Sequence, residues 1–203
     1  MTPPGYDRNV FINCPFDDAY RPLFEAIVFA VSDLGYRPRS ARERLDSGEI
    51  RLAKIVELIG ASRYSIHDLS RTESDSVTAL PRFNMPLELG IDLGCRYFGA
   101  DRTKKSMLIF DTEQYRYQKY ISDIAGQDIQ QHNGNSLTAV VAIRHWLQAA
   151  AGIPLPAGVA THERYMQFRD DLPVICGNMR LDIRDLTFTD FSFTIATWLR
   201  EHR

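Results

Sequence analysis

The chain has 203 residues, of which 44% are hydrophobic and 25% are charged, and its net charge is −2. A globular chain of this length buries roughly 70% of the surface that it exposes when unfolded, so it needs no metal or disulfide for stability. A charge so close to zero creates no field that attracts nucleic acid or an anionic membrane, and we expect neither partner. Three widely spaced cysteines exclude a disulfide framework and a zinc site of paired thiolates.

Segments that direct a chain to a membrane are not apparent in the sequence. No apolar run approaches the roughly 18 residues of a membrane span. The first eight residues lack the apolar core of a signal peptide. We therefore expect a cytoplasmic protein in a reducing compartment.

The first half of the chain alternates β-rich runs with helical runs, which is the pattern of a parallel sheet covered by helices. The predicted strands cover 9–13, 36–40, 63–69 and 106–110. The predicted helices between them cover 19–34, 50–59 and 84–98. We expect an α/β fold with an open parallel sheet of about five strands and helices on both faces.

The second half is predicted to be mainly helical. Its helical runs cover 114–121, 137–150, 158–168 and 193–201. We therefore divide the chain into an α/β core, residues 1–111, and a helical C-terminal part, residues 112–203, packed on the same domain. Within the core, residues 71–82 form a polar loop, and a loop of that length in a compact domain is usually functional or mobile.

Polar and aromatic residues follow the predicted strands at their carboxyl ends, where open α/β sheets bind ligands. These residues are Asn13, Phe16, Asp17, Arg42, Asp68 and Ser70. Glu88 lies in the first turn of the helix after the third strand, so it begins at the same edge. Asn84 is placed to cap that helix.

Periodicity alone leaves the role of Glu88 open. Glu88 could complement the helix dipole while Asp92 pairs with Arg96, or it could be a reactive group. On the same helix Gly90 and Gly94 each cost about 1 kcal/mol relative to alanine. They indicate that either the sheet or a partner subunit approaches this helix closely, and we expect a homo-oligomer.

Four segments resemble the TIR and nucleoside deoxyribosyltransferase-like group over about residues 9–110. They are Val10-Phe-Ile-Asn-Cys-Pro-Phe-Asp17, Ile59-Gly-Ala-Ser62, His67-Asp-Leu-Ser70 and Asn84-Met-Pro-Leu-Glu-Leu-Gly90. In TIR domains a glutamate early in this helix acts in NAD cleavage. Deoxyribosyltransferases carry their nucleophilic glutamate in a similar Glu-Leu-Gly start. Both families place the carboxylate at Glu88.

The resemblance implies an N-glycosidase that cleaves the nicotinamide–ribose bond of NAD or a related nucleotide, by analogy a bacterial defence or toxin effector. NAD would be its substrate rather than a cofactor, and no metal is expected. The residues expected to bind the nucleotide are Asn13, Phe16, Asp17, Arg42, Asp68, Ser70 and Asn84. Two alternatives are a nucleoside hydrolase or deoxyribosyltransferase, and a non-catalytic nucleotide-binding sensor that assembles through TIR-type contacts.

The predicted position of Glu88 at a helix N-terminus implies a lowered pKa and an ionised carboxylate at neutral pH. An ionised carboxylate stabilises or captures the oxocarbenium-like state of N-glycosidic cleavage. Nicotinamide leaves as a neutral base, whereas a purine or pyrimidine leaves more readily when protonated. That second chemistry would require another carboxyl group, Asp17 or Asp68, and both could instead be strand-end caps.

Overall fold

The computed structural model of the protein describes residues 3–72, 82–99 and 105–202. The strands in these ranges are β1 (Asn9–Asn13), β2 (Arg37–Arg39), β3 (Tyr64–Asp68), β4 (Ser106–Asp111) and β5 (Gln130–Gln131). The helices are α1 (Arg21–Asp33), α2 (Arg51–Gly60), α3 (Asn84–Phe98), α4 (Ser136–Ala151), α5 (Gly158–Met179) and α6 (Phe188–Glu201).

All strand pairs are parallel, and the strands lie in the order β2-β1-β3-β4-β5. The prediction of an open parallel α/β sheet is confirmed. Because β2 lies on one side of β1 and β3 on the other, the direction in which strands are added reverses at β1. Sheets of this order bind ligands in the crevice at the carboxyl ends of the strands where the reversal occurs. We call residues 13–18 and 68–72, which follow β1 and β3, the switch-point edge.

Alternation of side chains along the strands divides the core between the two faces of the sheet. Val10 and Ile12 of β1 pack in one apolar cluster with α1, α4, α5 and α6. Phe11 between them packs with Ile55 and Leu58 of α2 on the opposite face. Helix α3 lies on that opposite face, beside α2. The sheet therefore separates an α1 face from an α3 face.

The fifth strand comes from the segment that was predicted to be helical. Gln130 pairs with Phe110, and Gln131 pairs with Asp111. Two polar residues carry no hydrophobic alternation, so this strand could not be recognised from periodicity. Helix α4 then packs its buried side chains into the core shared with β1 and β3. Residues 1–111 and 112–203 therefore contribute to one sheet and one core.

Three of the helix predictions in the second half differ from the structure. In place of a helix at 114–121 there is a single 3-10 turn, Arg116–Lys119, whose Arg116 bonds the buried carboxylate of Asp111. Helix α5 continues past 168 to Met179, because Leu172 and Cys176 are buried in the core. Helix α6 begins at Phe188 rather than at 193. Most of the predicted loop 71–82 lies outside the described residues.

Candidate active site

Glu88 lies on the α3 face, and only 6% of the residue is exposed. Because α3 begins at Asn84, Glu88 is its fifth residue and lies just beyond the first turn. Arg51 is an ion-pair partner of Glu88, with its Nη2 4.0 Å from Oε1 of Glu88. Burial raises the pKa of Glu88 from its ordinary value of 4.5 to about 7, and Arg51 offsets only part of that shift. The predicted lowering of this pKa is therefore wrong, since desolvation outweighs the helix dipole.

A carboxyl group with a pKa of about 7 is protonated in about half of the molecules at neutral pH. Such a group can accept or release a proton under physiological conditions, which is the property that general acid–base catalysis requires. Strong perturbation by burial beside one specific charge is also typical of functional sites. Glu88 is therefore the leading candidate for a reactive group.

The amide of Asn13 is used inside the protein. Its Nδ2 lies 3.0 Å from Nδ1 of His67 and donates to the carbonyl oxygen of Met85, also at 3.0 Å. Both hydrogens of the amide therefore have acceptors in β3 and α3. The Asn13 amide nitrogen thus joins β1 to β3 and to the start of α3, and the predicted role of Asn13 in binding the nucleotide stays a prediction.

Asn84 does not cap α3. It is exposed and forms the first residue of the helix, and the cap position is held by Phe83 without a side-chain hydrogen bond. The expected N-cap is therefore wrong. Asn84 remains at the solvent-facing start of the helix that carries Glu88.

Asp68 points to the α1 face of the sheet, away from Glu88, and is completely buried. The Tyr20 hydroxyl and the Ser70 N–H donate to its carboxylate, and His132 Nε2 lies 2.9 Å from Oδ2. Burial alone would raise the pKa of Asp68, but the contacts with His132, Ser70 and Tyr20 hold it below its ordinary value. Asp68 is thus an ionised group that joins α1 and β5 to β3.

Phe16, Asp17 and Arg42 lie together in one cleft beside β1. The cleft has a volume of about 80 Å³ and also contacts the start of α6. The Arg42 guanidinium lies 5.1 Å from the centre of the Phe16 ring, which packs edge-on against Phe24. Asp17 accepts from the backbone N–H of Tyr20 at 3.1 Å. This cleft offers a cation, an aromatic ring and a carboxylate, and Glu88 is not among its lining residues.

Ser70 lines a second cavity at the ends of β3, β4 and β5. This cavity has a volume of about 390 Å³. Its other polar lining residues are Tyr20, Arg71, Thr112, Glu113, His132 and Asn133. The predicted residues therefore surround more than one recess at this end of the sheet.

The pKa of the Cys14 thiol, at the end of β1, depends on the charged groups around it. Burial is the largest cause that raises the pKa of the Cys14 thiol, followed by the charges of Asp68 and Glu88. Arg42 lowers this pKa and Asp17 raises it. All four charged side chains predicted for the site therefore act on the end of β1. A thiol with a raised pKa remains protonated, which makes Cys14 a poor nucleophile.

Several residues of this region were not identified from the sequence. Arg51 follows a charged loop, and nothing in its spacing connects it to Glu88. His132 follows the unrecognised strand β5. One alternative paired Asp92 with Arg96, whereas the carboxylate of Asp92 contacts His67 at 2.9 Å and Lys105 at 2.9 Å. Such long-range partners require the strand order, which periodicity does not supply.

Gly90 and Gly94 do not mark a close approach of the sheet. A Cβ atom built at either position would meet nothing within 4 Å. Gly90 is exposed, on a face of α3 that also exposes Leu87 and Tyr97. The interpretation that the sheet packs closely on these glycines is therefore wrong.

Among residues 3–72, 82–99 and 105–202, no group of three or more His, Cys, Asp or Glu side chains is arranged to hold a metal ion. None of the helices in these ranges combines the length and the apolar character needed to cross a membrane. Comparisons with models of known protein families, with curated proteins and with solved structures gave no match to this chain.

Proposed function

We propose that the protein is an N-glycosidase that cleaves the nicotinamide–ribose bond of NAD or a related nucleotide, with Glu88 as the reactive carboxylate. The observation that carries the proposal is a buried carboxyl group with a pKa of about 7 beside the switch-point edge. Cleavage of an N-glycosidic bond builds positive charge on the sugar. A carboxylate withdrawn from water stabilises such charge more strongly than an exposed one.

The charge of the substrate suits the burial of Glu88. The nicotinamide ring of NAD is cationic before cleavage, and an opposite charge close to a carboxyl group favours its ionised form. Binding of NAD would therefore lower the pKa of Glu88 and supply the ionised carboxylate that the reaction uses. Nicotinamide then leaves as a neutral base and needs no proton.

Two side chains of the cleft beside β1 suit contacts with the rest of a nucleotide. Arg42 is exposed and can form charge-assisted hydrogen bonds to a pyrophosphate. Phe16 presents a half-buried ring beneath that guanidinium. Arg44 is less suited to this role, because it already pairs with Glu49 at 3.1 Å and Glu57 at 3.0 Å.

Nucleoside hydrolysis is a second candidate, and the same pKa favours it. A Glu88 carboxyl group that is half protonated at neutral pH can donate a proton to a departing purine or pyrimidine. The second carboxyl group of that mechanism would be Asp17, which remains partly exposed. Asp68 is less suited, because it is buried and its carboxylate is held by Tyr20, Ser70 and His132.

Release of free base from NAD and, separately, from nucleosides tests the proposal. Purified protein is incubated with each compound, and the products are followed by chromatography. We expect the wild type to release nicotinamide and Glu88→Gln to lose that activity. Glu163→Gln, which makes the same change at an exposed position of α5, should keep it.

The outcomes separate the alternatives. Release of a nucleobase but not of nicotinamide supports the nucleoside hydrolase. If neither base is released, even at high protein concentration and under crowded conditions, the glycosidase proposal fails. A nucleotide that then still raises the melting temperature would support the non-catalytic sensor.

A further inference from the structure

A buried series of hydrogen bonds and one ion pair crosses the α3 face of the sheet. Lys105 Nζ donates to the backbone carbonyls of Ile59 and Ser62 and lies 2.9 Å from Oδ1 of Asp92. The other carboxylate oxygen of Asp92 lies 2.9 Å from Nε2 of His67. The other ring nitrogen of His67, Nδ1, lies 3.0 Å from Nδ2 of Asn13. All of these side chains are buried, so each contact is made in a low dielectric.

The donors and acceptors in this buried series of contacts permit one arrangement of protons. An amide nitrogen can only donate, so Nδ1 of His67 accepts from Asn13. His67 is then the neutral tautomer that carries its proton on Nε2, and this proton is donated to Asp92. The charges of Asp92 and Lys105 balance each other.

This series of contacts ends on the backbone of the helix that carries Glu88. The second hydrogen of the Asn13 amide is donated to the carbonyl of Met85, the second residue of α3. Asp92, one turn after Glu88 on the same helix, is held by His67. The segment of α3 that includes Glu88 is therefore attached to β1 and β3 on both sides of Glu88.

We propose that Asn13 and His67 are positioning residues that fix the start of α3, and with it the Glu88 carboxyl group, against the carboxyl end of β1. The proposal rests on the proposed function only for the reactive role of Glu88. The mechanical link itself holds for any chemistry at that carboxyl group. It is an alternative to the prediction that Asn13 binds the substrate.

Hydrogen exchange and a titration of Glu88 by NMR test the proposal without turnover. In Asn13→Ala we expect the amides at the start of α3 to exchange about fivefold to tenfold faster, because one buried hydrogen bond to this turn is lost. We also expect Glu88 to titrate at a lower pH, since a looser turn admits water to the carboxyl group.

Asn9→Ala is the matched control, because Asn9 is also buried on β1 and donates to a backbone carbonyl, that of Ala61, at 2.8 Å. It should leave α3 and the titration of Glu88 unchanged. A second variant, His67→Phe, keeps an aromatic ring but removes the acceptor for Asn13 and the donor to Asp92. It should repeat the effect of Asn13→Ala if that variant fails to fold.

If the start of α3 and the titration of Glu88 are unchanged in the folded variants, the positioning role is overturned. Where the wild type releases base, Asn13→Ala should lower kcat by between about tenfold and a hundredfold with little change in KM. A raised KM with an unchanged kcat would return Asn13 to substrate binding. Altered α3 dynamics in a protein that releases no base would overturn only the proposed function.

Discussion

At the scale of single residues, Glu88 shows why position along a helix does not determine a pKa. The sequence correctly places a carboxylate near the start of a helix at the carboxyl end of the sheet. It gives no measure of how much water reaches that carboxylate, and here burial raises the pKa to about 7. The same burial that makes Glu88 a candidate for catalysis should therefore destabilise the folded protein at high pH.

The free energy of unfolding of Glu88→Gln tests whether the buried Glu88 carboxyl group destabilises the folded protein at high pH. Between pH 4.5 and about 7 the folded state binds more protons at Glu88 than the unfolded state, so the stability of the wild type falls as the pH rises. Glutamine removes this loss. We expect the variant to be more stable than the wild type by about 3 kcal/mol above about pH 8, with no such gain below about pH 4.

Urea unfolding of both proteins at the two pH values gives this comparison directly. Glu163→Gln, at an exposed position of α5, serves as the control and should show no dependence of its effect on pH. A gain for Glu88→Gln that is the same at both pH values would mean that Glu88 titrates normally in the folded protein.

At the scale of elements, the predictions succeeded where one residue pattern extends through a whole element. The bounds of β1 and α3 agree with the prediction, because an apolar run and a helical repeat mark both ends. Strand β5 was missed because its two residues are polar. The candidate site shows the same limit: its edge of the sheet was predicted, whereas its partners from distant segments, Arg51 and His132, were not.

Helix α5 contains two glycines with opposite surroundings, which allows a matched test of packing. A Cβ atom at Gly158 would lie 2.7 Å from the backbone Cα of Val141 in α4. A Cβ atom at Gly177 would meet nothing within 4 Å. We expect Gly158→Ala to destabilise the protein by about 1–3 kcal/mol. Gly177→Ala should stabilise it by about 0.5–1 kcal/mol, because alanine favours the helix.

Thermal unfolding of the two variants measures both effects in one helix. Opposite signs are the expected outcome. A Gly158→Ala variant as stable as the wild type would show that α4 and α5 do not make the close contact described.

At the scale of the whole molecule, the C-terminal part completes the core of the N-terminal part. Phe29 of α1 is fully buried, and its ring lies 5.2 Å from that of Phe168 and 5.7 Å from that of Trp198. The sheet likewise includes β5 from the second half. The division at residue 111 therefore separates segments of the sequence rather than units that could fold independently.

A fragment of residues 1–111 should consequently fail to form a native structure. Without α4, α5 and α6 the apolar α1 face of the sheet would be exposed to water, and its burial is the main stabilising contribution. We expect poorly dispersed NMR spectra and no cooperative thermal transition. A fragment that unfolds cooperatively, with dispersed resonances, would contradict the single shared core.

The pH dependence of kcat/KM for base release tests the central role of Glu88 most directly, because this parameter reports the pKa of the free enzyme's reactive group. With NAD we expect kcat/KM to rise with pH through about 7 and then to level off, as Glu88 becomes ionised. Release of nucleobases by a protonated Glu88 would instead decline above the same pH. A profile without a transition near that value, or one that Glu88→Gln retains, would contradict the proposed role of Glu88.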